Sequence, residues 1–189
     1  MKILIACEFS GVVRDEFIKL GHDAMSCDIL PTEKSGPHYQ GNLIDILNDG
    51  WDLIIAHPPC TYLANSGVRW LHTDPSRWSL LDDSCKFFKA ILDSNIPKIC
   101  IENPIPHKYA VERIGQKYTQ IIHPWEHGHG ESKATCLWLK GLKLLTPSDI
   151  VEGREQRVWK LPPSKNRWKE RSRTYSGIAK AMATQWGEY

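Results

Sequence analysis

Hydrophobic positions along the chain fall into short apolar runs separated by amphipathic stretches. Residues 2–7, 22–29 and 51–56 read as strands, and the first and last are almost wholly apolar, as strands buried on both faces are. A short strand is expected at 38–41, another at 97–102, and two more at 116–123 and 135–139. Between them the period changes. A helical pattern runs from Gly11 through Phe17 and Leu20 to Gly21, and Trp78, Leu81, Cys85, Phe88, Ile91 and Leu92 recur at three- and four-residue spacing. Ser76 is placed to cap that second helix. Ile178, Met182, Ala183 and Trp186 form one face of a short final helix. Asn48-Asp49-Gly50 marks a turn before the strand at 51–56. Strands alternating with helices predict an α/β fold: a mostly parallel sheet covered on both faces, in one domain spanning 1–189.

Two of the apolar runs stop abruptly at residues rich in chemistry. Leu53-Ile54-Ile55-Ala56 ends at His57-Pro58-Pro59-Cys60, and Ile99-Cys100-Ile101 ends at Glu102-Asn103-Pro104. Open α/β sheets bind ligands at the carboxyl ends of their strands. The expectation is therefore a thiol and a carboxylate on one rim, the minimum for covalent attack on an electron-poor ring. Residues 61–76 form a polar, aromatic, irregular loop of a length that usually carries function.

Composition narrows the class. No apolar run approaches the length that spans a bilayer, and no membrane partner is expected. The six cysteines form no C-x-x-C pair and have no neighbouring histidine at metal spacing, so no metal site is expected. Free thiols point to a reducing cytoplasm. Net charge is +2, but residues 152–173 hold eight Lys or Arg against three Glu. That strip suggests contact with phosphates or a solvated basic face.

The first turn, Cys7-Glu8-Phe9-Ser10-Gly11, carries a single glycine and is not a dinucleotide fingerprint. Gly11 lets the backbone approach a ligand, and the helix it opens offers unpaired N–H groups to an anion. Asp28, ending the second strand, is placed to accept hydrogen bonds from ribose hydroxyls. In that order they point to a nucleoside-bearing cofactor.

Together these residues resemble the cytosine-C5 DNA methyltransferases. Phe9-Ser10-Gly11 looks like that family's cofactor loop, Asp28 its acidic strand-end residue, and Pro59-Cys60 its nucleophile motif. Ser66-Gly67 looks like the mobile loop behind the nucleophile, Glu102-Asn103-Pro104 the E-N-V/P motif, and residues 175–183 the helix that closes over the cofactor. The style is that of a small, phage-type member. The resemblance implies a Rossmann-like, S-adenosylmethionine-dependent methyltransferase fold with a mostly parallel seven-stranded sheet and helices on both faces. It implies S-adenosylmethionine held by Phe9, Ser10, Gly11, Asp28, Asn42 and Pro58. Cys60 would add to cytosine C6, Glu102 would hydrogen-bond N3 and the 4-amino group, and pocket water would take the C5 proton while His57 orients the loop. Ser66, Arg69, Trp70, Arg77, Arg167, Arg171 and Arg173 would meet nucleic acid.

The chain departs from the family at three points. Gly41 is followed by Asn42 where the family has an acid. The Q-x-R-x-R strand is absent, and Lys133 is the best substitute in that region. Residues 143–175 are a short basic linker where the family has a large target-recognition domain. The protein would then bind DNA with little sequence preference, act on single strands, or use a homodimer mate or separate recognition subunit. Three alternatives stand beside this reading: a non-catalytic or partner-dependent nucleic-acid binder on the same fold, C5 modification of a free cytosine nucleotide, and an amino-methyltransferase. His57 and Cys60 disagree with the last at both flanks of Pro58-Pro59. The His127–His129 pair reads as a glycine-rich turn.

Overall fold

The computed structural model describes the whole chain except Asn166 and Tyr189, together with the backbone but not the side chains of Val158 and Trp159. Seven strands form one sheet: β1 (Lys2–Ala6), β2 (Asp23–Asp28), β3 (His38–Gln40), β4 (Leu53–Ala56), β5 (Lys98–Pro104), β6 (Gln120–Ile122) and β7 (Thr135–Lys140). Their order is β3-β2-β1-β4-β5-β7-β6. β7 runs against both of its neighbours and the other six strands run together. The first five positions follow the doubly wound Rossmann order. The α/β class, the mostly parallel sheet and its seven strands are as the sequence implies.

The helices are α1 (Val12–Lys19), α2 (Trp70–Thr73), α3 (Arg77–Leu92), α4 (Lys108–Ile114), α5 (Arg157–Lys160), α6 (Arg167–Ser172) and α7 (Ser176–Trp186). Alternation along β1 shows why the sheet needs two covers. Ile3 and Ile5 face Val13 and Phe17 of α1 and Ile178, Met182 and Trp186 of α7. Leu4 points the other way, into a core with Leu81, Phe88 and Ile91 of α3 and Ala110 of α4. All four of β4's residues are fully buried, as a central parallel strand requires. Each large aliphatic side chain so placed contributes roughly 1.5–3 kcal/mol.

Two local expectations differ. Ser76 sits at the start of α3 but makes no side-chain cap; its hydroxyl and N–H both go to Asp74 Oδ1, closing a turn before the helix. The strand expected at 116–123 shrinks to Gln120–Ile122. Among the described residues no helix is long and apolar enough to cross a membrane.

Candidate active site on the carboxyl rim

Strand register builds the site. Ala6 pairs with Cys27 on one side and with Ala56 on the other, and Ala56 pairs with Ile101. The next residue of each strand therefore falls in one rank: Asp28, Cys7, His57 and Glu102 lie side by side along the carboxyl edge of β2, β1, β4 and β5. Four strands that reach the same level put four chemically active residues together.

His57 Nδ1 meets Glu102 Oε2 at 2.8 Å, and both side chains are almost wholly buried. Burial pushes the Glu102 carboxyl up, but the hydrogen bond and charge of His57 and the charge of Lys133 outweigh it, and the carboxyl is held below its ordinary range. A carboxylate at Glu102 can only accept, so His57 Nδ1 donates to it and Nε2 is the ring nitrogen left over. That Nε2 is buried and has no hydrogen-bond partner.

Beside Glu102, Asn103 donates through Nδ2 to the Pro58 carbonyl at 3.0 Å and so clamps the Pro-Pro-Cys turn to the end of β5. The turn is fixed again behind the cysteine. Asn65 N–H donates to the Ile105 carbonyl, and His107 N–H to that of Leu63. Cys60 is partly buried. Burial and the Glu102 carboxylate push its thiol up, while Lys133 and Arg171 pull it down. Thiol, carboxylate and ammonium thus share one electrostatic environment.

The first turn is built differently from the sequence expectation. Cys7 takes a left-handed conformation, φ 57°, at a cost of roughly 1–2 kcal/mol for a residue with a Cβ. After this kink the buried Glu8 carboxylate accepts from the N–H groups of Val13 at 2.7 Å and Arg14 at 3.3 Å. Ser10 Oγ takes the N–H of Val12. The helix N-terminus is therefore filled by the chain's own carboxylate and is not open to an anion. Gly11 has φ 68°, and a Cβ there would press on the Arg14 guanidinium. That guanidinium, fully buried, also reaches the carbonyls of Lys34, Ser35 and Pro37 and holds that loop against α1.

Asp28 Oδ1 accepts from the N–H of Leu30. Asn42 Oδ1 accepts from Ile44 N–H and starts a short 3-10 turn, leaving its amide N–H₂ to project. Phe9 is buried. Of the residues expected at nucleic acid, Ser66, Arg69 and Trp70 are exposed, with Arg69 stacked on the Trp70 ring at 4.5 Å. Arg77 lies over Tyr62.

The basic segment expected as a linker forms α5 and α6, and α6 lies over this rim. Trp168 packs on Phe9 at 5.8 Å, Lys133 Nζ donates to the Arg171 carbonyl at 3.0 Å, and Arg173 pairs with Glu33 at 2.7 Å. Arg157 and the Tyr175 hydroxyl both bind Glu131. Ser172, Arg173 and Thr174 line a cavity of about 40 Å³ with Cys7, Glu8, Phe9, Ser10 and His57. Arg167 lies on the same helix. Nothing in the sequence pattern signals that this segment folds back over the strand ends. His129, expected in a turn, has a further part: its Nε2 accepts the N–H of Gly177 at 3.0 Å and caps α7. Among the described residues no group of three His, Cys, Asp or Glu is placed to hold a metal.

No family profile and no curated protein matches the chain. Its fold is similar to that of a DNA modification methyltransferase encoded within an E. coli prophage, with TM-score 0.48 and 14% identity over 85% of this chain and 55% of that one. It is also similar to the Entamoeba histolytica methyltransferase EhMeth, with TM-score 0.47 and 16% identity over 87% of this chain and 60% of that one. The chain thus spans little more than half the length of either protein.

Proposed function

We propose that the protein transfers a methyl group from S-adenosylmethionine to C5 of cytosine in DNA through a covalent Cys60 adduct. The observation that carries this reading is the shared environment of Cys60, Glu102 and Lys133 at the ends of adjacent strands. The cysteine adds to C6 of the ring. Glu102, ionised and with Oε1 not engaged by His57, accepts from the 4-amino group, and Lys133 supplies positive charge as electrons move into the ring. A base within a duplex must first be flipped out, at a cost of a few kcal/mol. The exposed Arg69–Trp70 pair suits the gap it leaves, and the basic face of α6 suits the phosphates.

The donor set fits this cofactor better than a phosphate-bearing one. With Glu8 holding the N–H groups of Val13 and Arg14, a pyrophosphate at the α1 N-terminus would meet a carboxylate, whereas a sulfonium or ammonium group beside Glu8 is favoured by charge. Asp28 stands for ribose hydroxyls, the Asn42 amide for the adenine edge, and Phe9, Ser10, Gly11 and Pro58 for the walls. When bound, the group supplies an electrophilic methyl. The decisive experiment uses DNA containing 5-fluorocytosine with S-adenosylmethionine. A denaturation-resistant complex with the wild type and none with Cys60→Ser is expected; no complex with either sinks the reading.

A second reading, a nucleic-acid binder without catalysis, draws on the small cavity beneath Ser172–Thr174. Calorimetry separates the two, since such a binder takes up DNA and gives no heat with S-adenosylmethionine.

A further inference from the structure

A cytosine that carries sulfur at C6 and a methyl group at C5 still holds the C5 proton. Turnover needs a base for that proton. Water is the base expected from the sequence, with His57 only orienting its loop. The geometry points elsewhere. His57 directly follows β4 in the turn that carries Cys60, and it lines the rim cavity with Phe9 and Ser10 of the first turn. One ring nitrogen is committed, Nδ1 to Glu102 at 2.8 Å. The other, Nε2, is buried and partnerless. Leaving a buried acceptor without a partner is costly, so Nε2 is a group set aside for a ligand proton.

Building on the cytosine-C5 reading, we propose that His57 Nε2 takes the C5 proton, with Glu102 as the carboxylate that fixes its tautomer. The C5–H bond breaks, and its electron pair forms the C5–C6 double bond. That expels the Cys60 sulfur from C6 as thiolate. The proton becomes the Nε2–H of an imidazolium, whose charge Glu102 balances through Nδ1–H, and solvent removes it after product leaves. The pairing follows the logic by which a buried carboxylate orients a catalytic imidazole and stabilises its charged form. Glu102 then serves two partners, the ring's amino group and His57, with one oxygen each.

The test isolates the proton step from methyl transfer. Cytosine tritiated at C5, in single-stranded DNA, is incubated with the protein and no methyl donor. Reversible addition of Cys60 at C6 makes C5 exchange with solvent, and exchange needs a base at C5. His57→Asn keeps a side-chain N–H for Glu102 and has no atom at the Nε2 position. Release of tritium should slow by about 100-fold or more, the range set by loss of a general base. With S-adenosylmethionine added, the same variant should accumulate a Cys60-linked complex on ordinary cytosine DNA, because elimination stalls. It should still trap 5-fluorocytosine as the wild type does, because trapping needs no base at C5. Exchange at the wild-type rate in a His57→Asn protein that traps 5-fluorocytosine overturns the assignment and leaves the C5 reading intact. Failure of His57→Asn to trap, together with a His57→Gln protein of wild-type melting temperature that also fails, overturns it too, because His57 would then serve addition. No trapping by the wild type removes the C5 reading and the assignment with it.

Discussion

Arg173 Nη2 donates to both oxygens of Glu33, at 2.9 and 2.7 Å, and so joins the end of α6 to the loop after β2 across 140 residues. With the Lys133–Arg171 hydrogen bond and the Trp168–Phe9 contact, it fastens the basic segment over the first turn. Both partners are partly exposed, so the pair is worth about 1 kcal/mol at most. Glu33→Gln should leave the melting temperature nearly unchanged. Tryptic cleavage within residues 154–173 should quicken, and S-adenosylmethionine should bind up to about fivefold tighter if displacing the segment costs that energy. Unaltered cleavage would show that the ion pair does not hold α6 in place.

The charges around Cys60 set its reactivity. Burial and Glu102 raise its pKa, while Lys133 and Arg171 lower it. A raised pKa means little thiolate at neutral pH, with a tenfold gain for each pH unit below the pKa. Carbamidomethylation of Cys60 by iodoacetamide, read by mass spectrometry, should therefore climb steeply on the alkaline side. Lys133→Met removes a lowering influence and should slow labelling several-fold at fixed pH. Glu102→Gln removes a raising one and should speed it. Equal rates in all three proteins would mean that neither charge reaches the sulfur.

Glu8 acts as the cap of α1, so Glu8→Ala should cost about 0.5–2 kcal/mol of stability by leaving the N–H groups of Val13 and Arg14 without their acceptor. The same change empties an anion site. Sulfate at millimolar concentration should raise the melting temperature of Glu8→Ala and not that of the wild type, beyond the effect of sodium chloride at matched ionic strength. An equal response in both proteins would place the sulfate elsewhere.

A shared rim for Cys60 and Glu102 is legible because each follows an apolar run, and the strand register adds Asp28, Cys7 and His57 to the same edge. The commitments made along that edge are not. Which nitrogen of His57 is bound, and that Glu8 turns back onto its own helix, depend on χ angles and a strained φ that no hydrophobic period encodes. α4 leaves no sequence signal of its own for another reason. Its seven residues are too few to show a period, although Pro106 before it and Gly115, left-handed at φ 78°, after it mark its limits. The basic segment could be counted but not located, since its anchors at Phe9, Glu33 and Glu131 come from distant parts of the chain.

Gly177 is the position where a small substitution should reveal how α7 is seated. Replacing glycine by alanine inside a helix ordinarily stabilises it by close to 1 kcal/mol. At 177 an added Cβ would overlap the His127 carbonyl oxygen and press on the His129 ring. Neither can retreat cheaply. His127 is buried and bound to Ser148, and His129 holds the Gly177 N–H. The helix cannot move instead, because Ile178, Met182 and Trp186 are locked in the core with Phe17. Gly177→Ala should therefore destabilise by about 1–3 kcal/mol, as overpacking does, and lower the melting temperature by roughly 3–10 °C. Gly21→Ala is the control: its φ is 82° and nothing lies near its missing Cβ, so it should show only the backbone strain of about 1 kcal/mol. A Gly177→Ala protein that melts at or above the wild type would mean that α7 does not abut the 127–129 turn as described.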